Sequence, residues 1–158
     1  MSEMPSQADV LHAFIEPLLD VIRSATGLTG QLGPMTLARS MPAPPYMKVQ
    51  IQVRGRVFGP IICTFDPAMA REVTARMMAT EESPAFDSPE CRDALGELAN
   101  ILVGNATGAL LDVGCAIELA PPHAEVAHEA GELAHRTLSV PVTTEYGQMN
   151  LLIGLSAH

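Results

Sequence analysis

The sequence predicts an α+β domain: a largely antiparallel β-sheet covered by long helices on one face, as a two-layer sandwich. Three observations carry this. Residues 46–65 and 134–155 each read as two strand-like runs joined by a turn, which is the pattern of a β-hairpin. Residues 6–26, 67–80 and 88–112 carry helical spacing of apolar residues. The order is helix, strands, helix pair, strands, not the β-α-β alternation of a doubly wound parallel sheet. Each half is a helix followed by about three strands, a hint of internal duplication. With 158 residues and 47% apolar content, the chain fits one domain, 1–158, with a sizeable core.

In the first helical stretch, Ser6 caps the start, and Val10, Phe14, Leu18, Val21, Ile22 and Ala25 keep the spacing. Pro17 either kinks this helix or restarts it a turn later. Gly27, Gly30, Gly33 and Pro34 form a turn region, and no strand precedes it as a dinucleotide fingerprint requires. Residues 35–41 read as a short strand that Pro42, Pro44 and Pro45 end. In 46–53, Met47, Val49, Ile51 and Val53 alternate with Lys48, Gln50 and Gln52, as in a half-buried strand. Gly55-Arg56 turns the chain into 57–65, where the run Ile61-Ile62-Cys63 predicts a more central strand. Asp66-Pro67 caps a helix that buries Ala70, Val73, Met77 and Met78. An acidic link, 81–87, leads to the long helix. Beyond it, 115–120 is strand-like and Pro121-Pro122 ends it. Residues 123–132 have no clear period and read as a loop. Residues 134–142 and 144–155 form the second hairpin, turning near Glu145-Tyr146-Gly147.

The long helix, 88–112, organises the rest. Ser88 is a good N-cap, Pro89 occupies the first helical position, and Glu90 and Asp93 favour the positive helix start. Cys91, Leu95, Leu98, Leu102, Ala106 and Ala109 share one face. Asp93, Glu97, Asn100, Gly104 and Gly108 share the other. Glu97 and Asn100 are neighbours at i and i+3. Each interior glycine costs the helix about 1 kcal/mol relative to Ala. The face is thus polar in its first half and bare in its second, which suits a docking protein. Periodicity alone favours a solvated face with incidental glycines.

The net charge of −9 argues against nucleic acid or an anionic membrane as partner. Cys63, Cys91 and Cys115 have no Cys-x-x-Cys spacing, so buried reduced thiols are expected. The first ten residues lack a basic region followed by an apolar run, and no apolar run approaches the length of a membrane span. The expected location is the cytoplasm. His123, His128 and His135 are not at helical metal-ligand spacing, so no metal site is expected. No nucleophile–histidine–acid pattern or P-loop is present. Residues 131–135 echo 96–100 but place His135 where Asn100 stands, a coincidence of composition. The nine methionines are spaced as packing residues.

Gly96-Glu97-Leu98-Ala99-Asn100, followed by Ile101-Leu102-Val103-Gly104-Asn105, resembles the motif of the CheC/CheX/FliY chemotaxis phosphatases. The element order also resembles CheX over nearly the whole chain, including Phe65-Asp66 and the break at Ala120-Pro121-Pro122. The resemblance implies a CheC/CheX-like fold and hydrolysis of the aspartyl phosphate on a CheY-type receiver domain. It implies that Asn100 orients the attacking water, that Glu97 pairs with the receiver's lysine, and that Asp93, Gly104 and Gly108 border the partner. It implies no cofactor of the chain's own, with Mg²⁺ on the receiver. The first helix has Glu16 but Leu19 three residues later, so one site is expected. The family pairing implies a homodimer through sheet strands, for which residues 149–155 offer an edge. The alternative is a non-catalytic receiver-binding or flagellar-switch-type adaptor on the same fold.

Overall fold

The computed structural model describes residues 6–157, without the side chains of Ala134 and His135. Residues 1–5 and 158 of the predicted domain 1–158 lie outside the described residues, as does the imidazole of His135. Ser6 begins α1 (Gln7–Ile15) with a capping box: its hydroxyl accepts from the Asp9 amide while Asp9 accepts from the Ser6 amide. Pro17 divides the predicted first helix in two, and α2 (Leu18–Thr26) restarts directly after it. Gly27 closes α2 at φ 77°, a left-handed geometry that suits glycine.

Among the described residues nine strands form, the six predicted ones in their order and three more: one in the glycine turn, one after Pro121-Pro122 and one at the end of the chain. They are β1 (Gln31–Leu32), β2 (Thr36–Ser40), β3 (Tyr46–Gly55), β4 (Val57–Phe65), β5 (Ile117–Leu119), β6 (His123–Ala127), β7 (Glu132–Thr143), β8 (Gln148–Ile153) and β9 (Ser156–Ala157). Between β4 and β5 lie α3 (Pro67–Met78) and α4 (Pro89–Asp112). The sheet order is β1-β7-β8-β4-β3-β5, and every pairing is antiparallel. Strand β2 continues the β1 edge along β7, β6 continues the β5 edge along β3, and β9 pairs with the start of β4. Both predicted hairpins form, and β4 is central, between β3 and β8.

Three expectations need correction. Residues 123–127 are a strand, not a loop: Tyr46 pairs with Ala127 and Gln50 with His123. The signal is weak because β6 is an edge strand whose inward residues, Ala124 and Val126, are small and only partly covered. Residues 149–155 offer no open edge, because β8 is hydrogen-bonded to β7 on one side and β4 on the other. The open edges are β1–β2 and β5–β6. On the helices, Met78 is 44% exposed, and Ala109 is exposed while Leu110 is buried. The buried positions of α4 step through Leu95, Ala99, Val103, Ala106 and Leu110, so the contact stripe winds round the helix and Ala109 turns outward.

All four helices pack on one sheet face. Met47, Val49, Ile51 and Val53 of β3, Ile61, Cys63 and Phe65 of β4, and Met149 and Leu151 of β8 meet Phe14, Leu18, Ile22, Met69, Val73, Leu95, Leu98 and Leu102. The predicted alternation in β3 thus points into this core. On the other sheet face, Met41, Tyr46, Leu133, Ile62 and Leu152 line a groove of about 260 Å³. All three thiols are free and buried, as expected. Burial pushes the Cys63 thiol up to about 12. By length and composition α4 is apolar enough to cross a membrane, but half of its most apolar window is buried inside the fold, as in a core helix.

Candidate active site

Helix α4 is set in position by its start and its stripe. The Ser88 hydroxyl accepts from the Cys91 amide at 3.2 Å, and Pro89 needs no donor there. Leu95 and Leu98 are fully buried and Leu102 nearly so. Holding these inward forces Asp93, Glu97, Asn100, Gly104 and Gly108 outward, and all five are exposed. The sequence-predicted residues therefore share one open face of one rigid helix.

Neither Glu97 nor Asn100 makes a side-chain hydrogen bond or ion pair among the described residues. The contrast on the same helix is informative. The Asn105 amide donates to the Ile101 carbonyl at 2.8 Å, and the Thr107 hydroxyl donates to the Val103 carbonyl at 3.0 Å. Those groups are committed internally, while Glu97 and Asn100 are free for an external partner. A Cβ on Gly104 or Gly108 would meet nothing within 4 Å, so the domain's own packing does not require glycine there. Gly96 differs: it faces inward, and its Cβ would lie 3.9 Å from Cγ of Pro122.

The Glu97–Asn100 stripe stands as a ridge between two troughs. One, of about 540 Å³, separates α4 from α2 and is lined by Pro17, Asp20, Val21, Ser24, Ile101 and Asn105. The other, of about 340 Å³, separates α4 from the end of α3 and is lined by Met77, Met78, Glu90, Asp93, Ala94 and Glu97. Met77, Met78 and Glu90 also border the ridge; Met77 packs partly against the core as its helical spacing predicts, whereas Met78, predicted buried, is exposed. The available signal was the position of Met78 at the last turn of α3.

Chemically, the ridge offers an unengaged carboxylate and an unengaged amide, with no free nucleophile beside them. Among the described residues, no group of three or more His, Cys, Asp or Glu is arranged to hold a metal ion. Such a site can position a water or a cation; the electrophile must come with the substrate.

The comparisons agree with this fold. The family model for the chemotaxis phosphatase CheX matches residues 47–145. The CheY-P phosphatase CheX of Thermotoga maritima is 25% identical over 115 residues, 73% of this chain and 74% of that protein. A CheC-like superfamily protein from Shewanella sp. PV-4 superposes with TM-score 0.84 at 22% identity, covering 96% of this chain and all of that one (100%). The structure of the CheX–CheY–BeF₃–Mg²⁺ complex from Borrelia burgdorferi matches with TM-score 0.74 at 20% identity, covering 92% of this chain and 97% of that one. The family model over residues 47–145, together with the matching fold, places the chain among the phosphatases of the chemotaxis class. The chain belongs to the CheX family of chemotaxis phosphatases.

Proposed function

We propose that the protein hydrolyses the aspartyl phosphate of a CheY-type receiver domain, using Asn100 to orient the attacking water and Glu97 to pair with the receiver's phosphate-site lysine. The observation that carries this is the freedom of both side chains on one face of a rigid helix. The family membership and the Thermotoga relative's activity support the substrate class.

An aspartyl phosphate is already an activated acyl phosphate, so the slow element is bringing a water in line. The Asn100 side-chain oxygen accepts one hydrogen bond from that water and fixes its lone pair toward phosphorus. Being uncharged, the amide does not repel the phosphoryl oxygens, and positioning is the main lever in phosphoryl transfer. The water oxygen bonds to phosphorus, the phosphorus–aspartyl oxygen bond breaks, and the proton leaves with inorganic phosphate. Mg²⁺ belongs to the receiver in this reading, and the chain needs no cofactor of its own. Glu97 and the receiver lysine supply register more than affinity. Three buried reduced thiols fit work in the cytoplasm.

The reading includes a homodimer, with its seam moved to β1–β2. Leu32, Met35 and Leu37 there are 43%, 54% and 59% exposed, an apolar strip on an open edge.

The test is a dephosphorylation time course with phosphorylated receivers at substoichiometric protein. Asn100→Ala is expected to lose about 10²-fold or more in acceleration, with the fold intact because the amide has no internal partner. Glu97→Ala is expected to weaken docking. An Asn100→Ala variant as fast as wild type sinks the mechanism. Stoichiometric binding without turnover by the wild type converts the protein into an adaptor.

A further inference from the structure

We propose that the trough between the end of α3 and the start of α4 is a specificity pocket for the receiver, taking an apolar side chain flanked by a cation. This rests on the proposed receiver phosphatase activity. Its floor is made by Met77 and Met78, and Met78 is 44% exposed. Its rim is Glu90, Asp93 and Glu97, at i, i+3 and i+7 along one stripe of α4.

The domain leaves that rim uncompensated. None of the three carboxylates forms an ion pair among the described residues. Two basic residues of α3 are engaged elsewhere: Arg71 donates to the Pro84 carbonyl, and Arg76 binds Glu72, the Thr26 carbonyl and the Tyr146 hydroxyl. Glu90 alone is explained by the positive start of α4. Asp93, expected from the sequence to favour the helix start, lies with Glu97 beyond the first turn, where that effect fades. An acidic rim over an unpaired methionine floor matches a partner that brings a positive charge and a hydrophobic group together. Methionine's flexible thioether adapts to the shape of such a group.

Continuity identifies the occupant. Glu97 lines this trough and also stands on the ridge beside Asn100. A receiver seated with its phosphate at Asn100 therefore lies over the trough as well. The trough reads the receiver surface next to the phosphate site, while Asn100 reads the phosphate chemistry itself.

Steady-state kinetics with the phosphorylated CheY-type receiver that the wild type turns over test this. Glu90→Lys combined with Met78→Asp is expected to raise KM about tenfold and leave kcat within about twofold, because the change touches docking only. The milder pair Glu90→Gln and Met78→Ser should shift KM in the same direction, and both pairs should unfold cooperatively at a slightly lower melting temperature, because the sites are exposed and only the charge at the positive helix start is lost. Raising salt from about 50 to about 500 mM should raise the wild-type KM more than that of Glu90→Lys. If the wild type turns over receiver but neither pair changes KM, the pocket is refuted and the phosphatase reading stands. If the wild type turns over no receiver, the phosphatase reading fails and takes this inference with it.

Discussion

Replacing Gly104 and Gly108 by Ala is expected to change stability and docking in opposite directions. An interior helical glycine costs about 1 kcal/mol relative to Ala. Both positions are exposed and fully helical, and an added Cβ would meet nothing within 4 Å, so no packing penalty offsets the gain. The double variant should therefore gain about 2 kcal/mol, less whatever fraying near the end of α4 takes from Gly108. For a chain of this size that is a rise of about 4–8 °C in Tm. Gly96→Ala is the control for the propensity gain, since its Cβ would make only an ordinary contact with Pro122 at 3.9 Å.

In the proposed docking the same methyl groups fall where the receiver meets the bare part of the helix. Overpacking a close contact costs about 1–3 kcal/mol, which is about 5- to 150-fold in KM. The assay pairs thermal melts with steady-state dephosphorylation of the receiver. A higher Tm with unchanged KM would show that the bare stripe is incidental and that docking lies elsewhere. A Tm that does not rise would refute the helical and open geometry of both positions.

At Gly147 the same substitution should go the other way. A Cβ there would lie 2.5 Å from Oδ1 of Asp66, whose carboxylate accepts from the Met69 amide at 2.7 Å and the Gln148 amide at 2.8 Å. Displacing it removes the α3 cap and a tie to β8, so Gly147→Ala should lose about 2–3 kcal/mol in urea unfolding; an unchanged midpoint would refute this. Leu37→Lys, on the open β2 edge, is expected to turn a dimer into a folded monomer by light scattering, and an unaltered dimer would move the seam elsewhere. The Cys63 thiol has a folded-state value of about 12 against an ordinary 9.0, so the stability tied to its neutral form is complete below pH 9.0 and lost as pH rises through about 12. Wild type should therefore lose more stability over that alkaline range than Cys63→Ala, and parallel losses would contradict the buried thiol.

Local chemistry was legible in the sequence wherever a pattern ran for two turns or a full strand. The alternation in β3, the apolar run in β4, the Ser88 and Asp66 caps and the outward face of α4 all followed from periodicity and cap residues. Long-range placement was not legible. Nothing local distinguishes β8, an apolar run with a neighbour on each side, from an apolar run left open for a partner. Strand β6 was missed because His123, Ala124 and Glu125 gain strand structure only by pairing with β3. The two troughs were invisible for the same reason, since each is formed by the tertiary packing of α4 against another helix. Glu97 and Asn100 were legible as neighbours, whereas their freedom from internal partners was readable only once Asn105 and Thr107 were seen to be committed.

The sheet order explains why one site is expected on a fold with two halves. Taken from either edge, it runs interrupted edge strand, long strand, central strand: β1–β2, β7, β8, then β4, β3, β5–β6. Each half lends its interrupted edge to the other half's long strand, since β1 and β2 pair with β7 while β5 and β6 pair with β3. That exchange is what a duplicated unit with a pseudo-twofold relation produces. It makes α1–α2 the counterpart of α4, each leading into its half's interrupted edge. The counterpart is not an idle copy of the site. Glu16 lies at the end of α1, 2.7 Å from the His12 imidazole, and Pro17 breaks the helix directly after it. Leu19, three residues beyond Glu16, packs against the core and has no amide to offer. A carboxylate and an amide act together only when an unbroken turn holds them on one face. The first half lacks both the amide and the unbroken turn, while α4 keeps twenty-four helical residues without a break and carries the ridge alone.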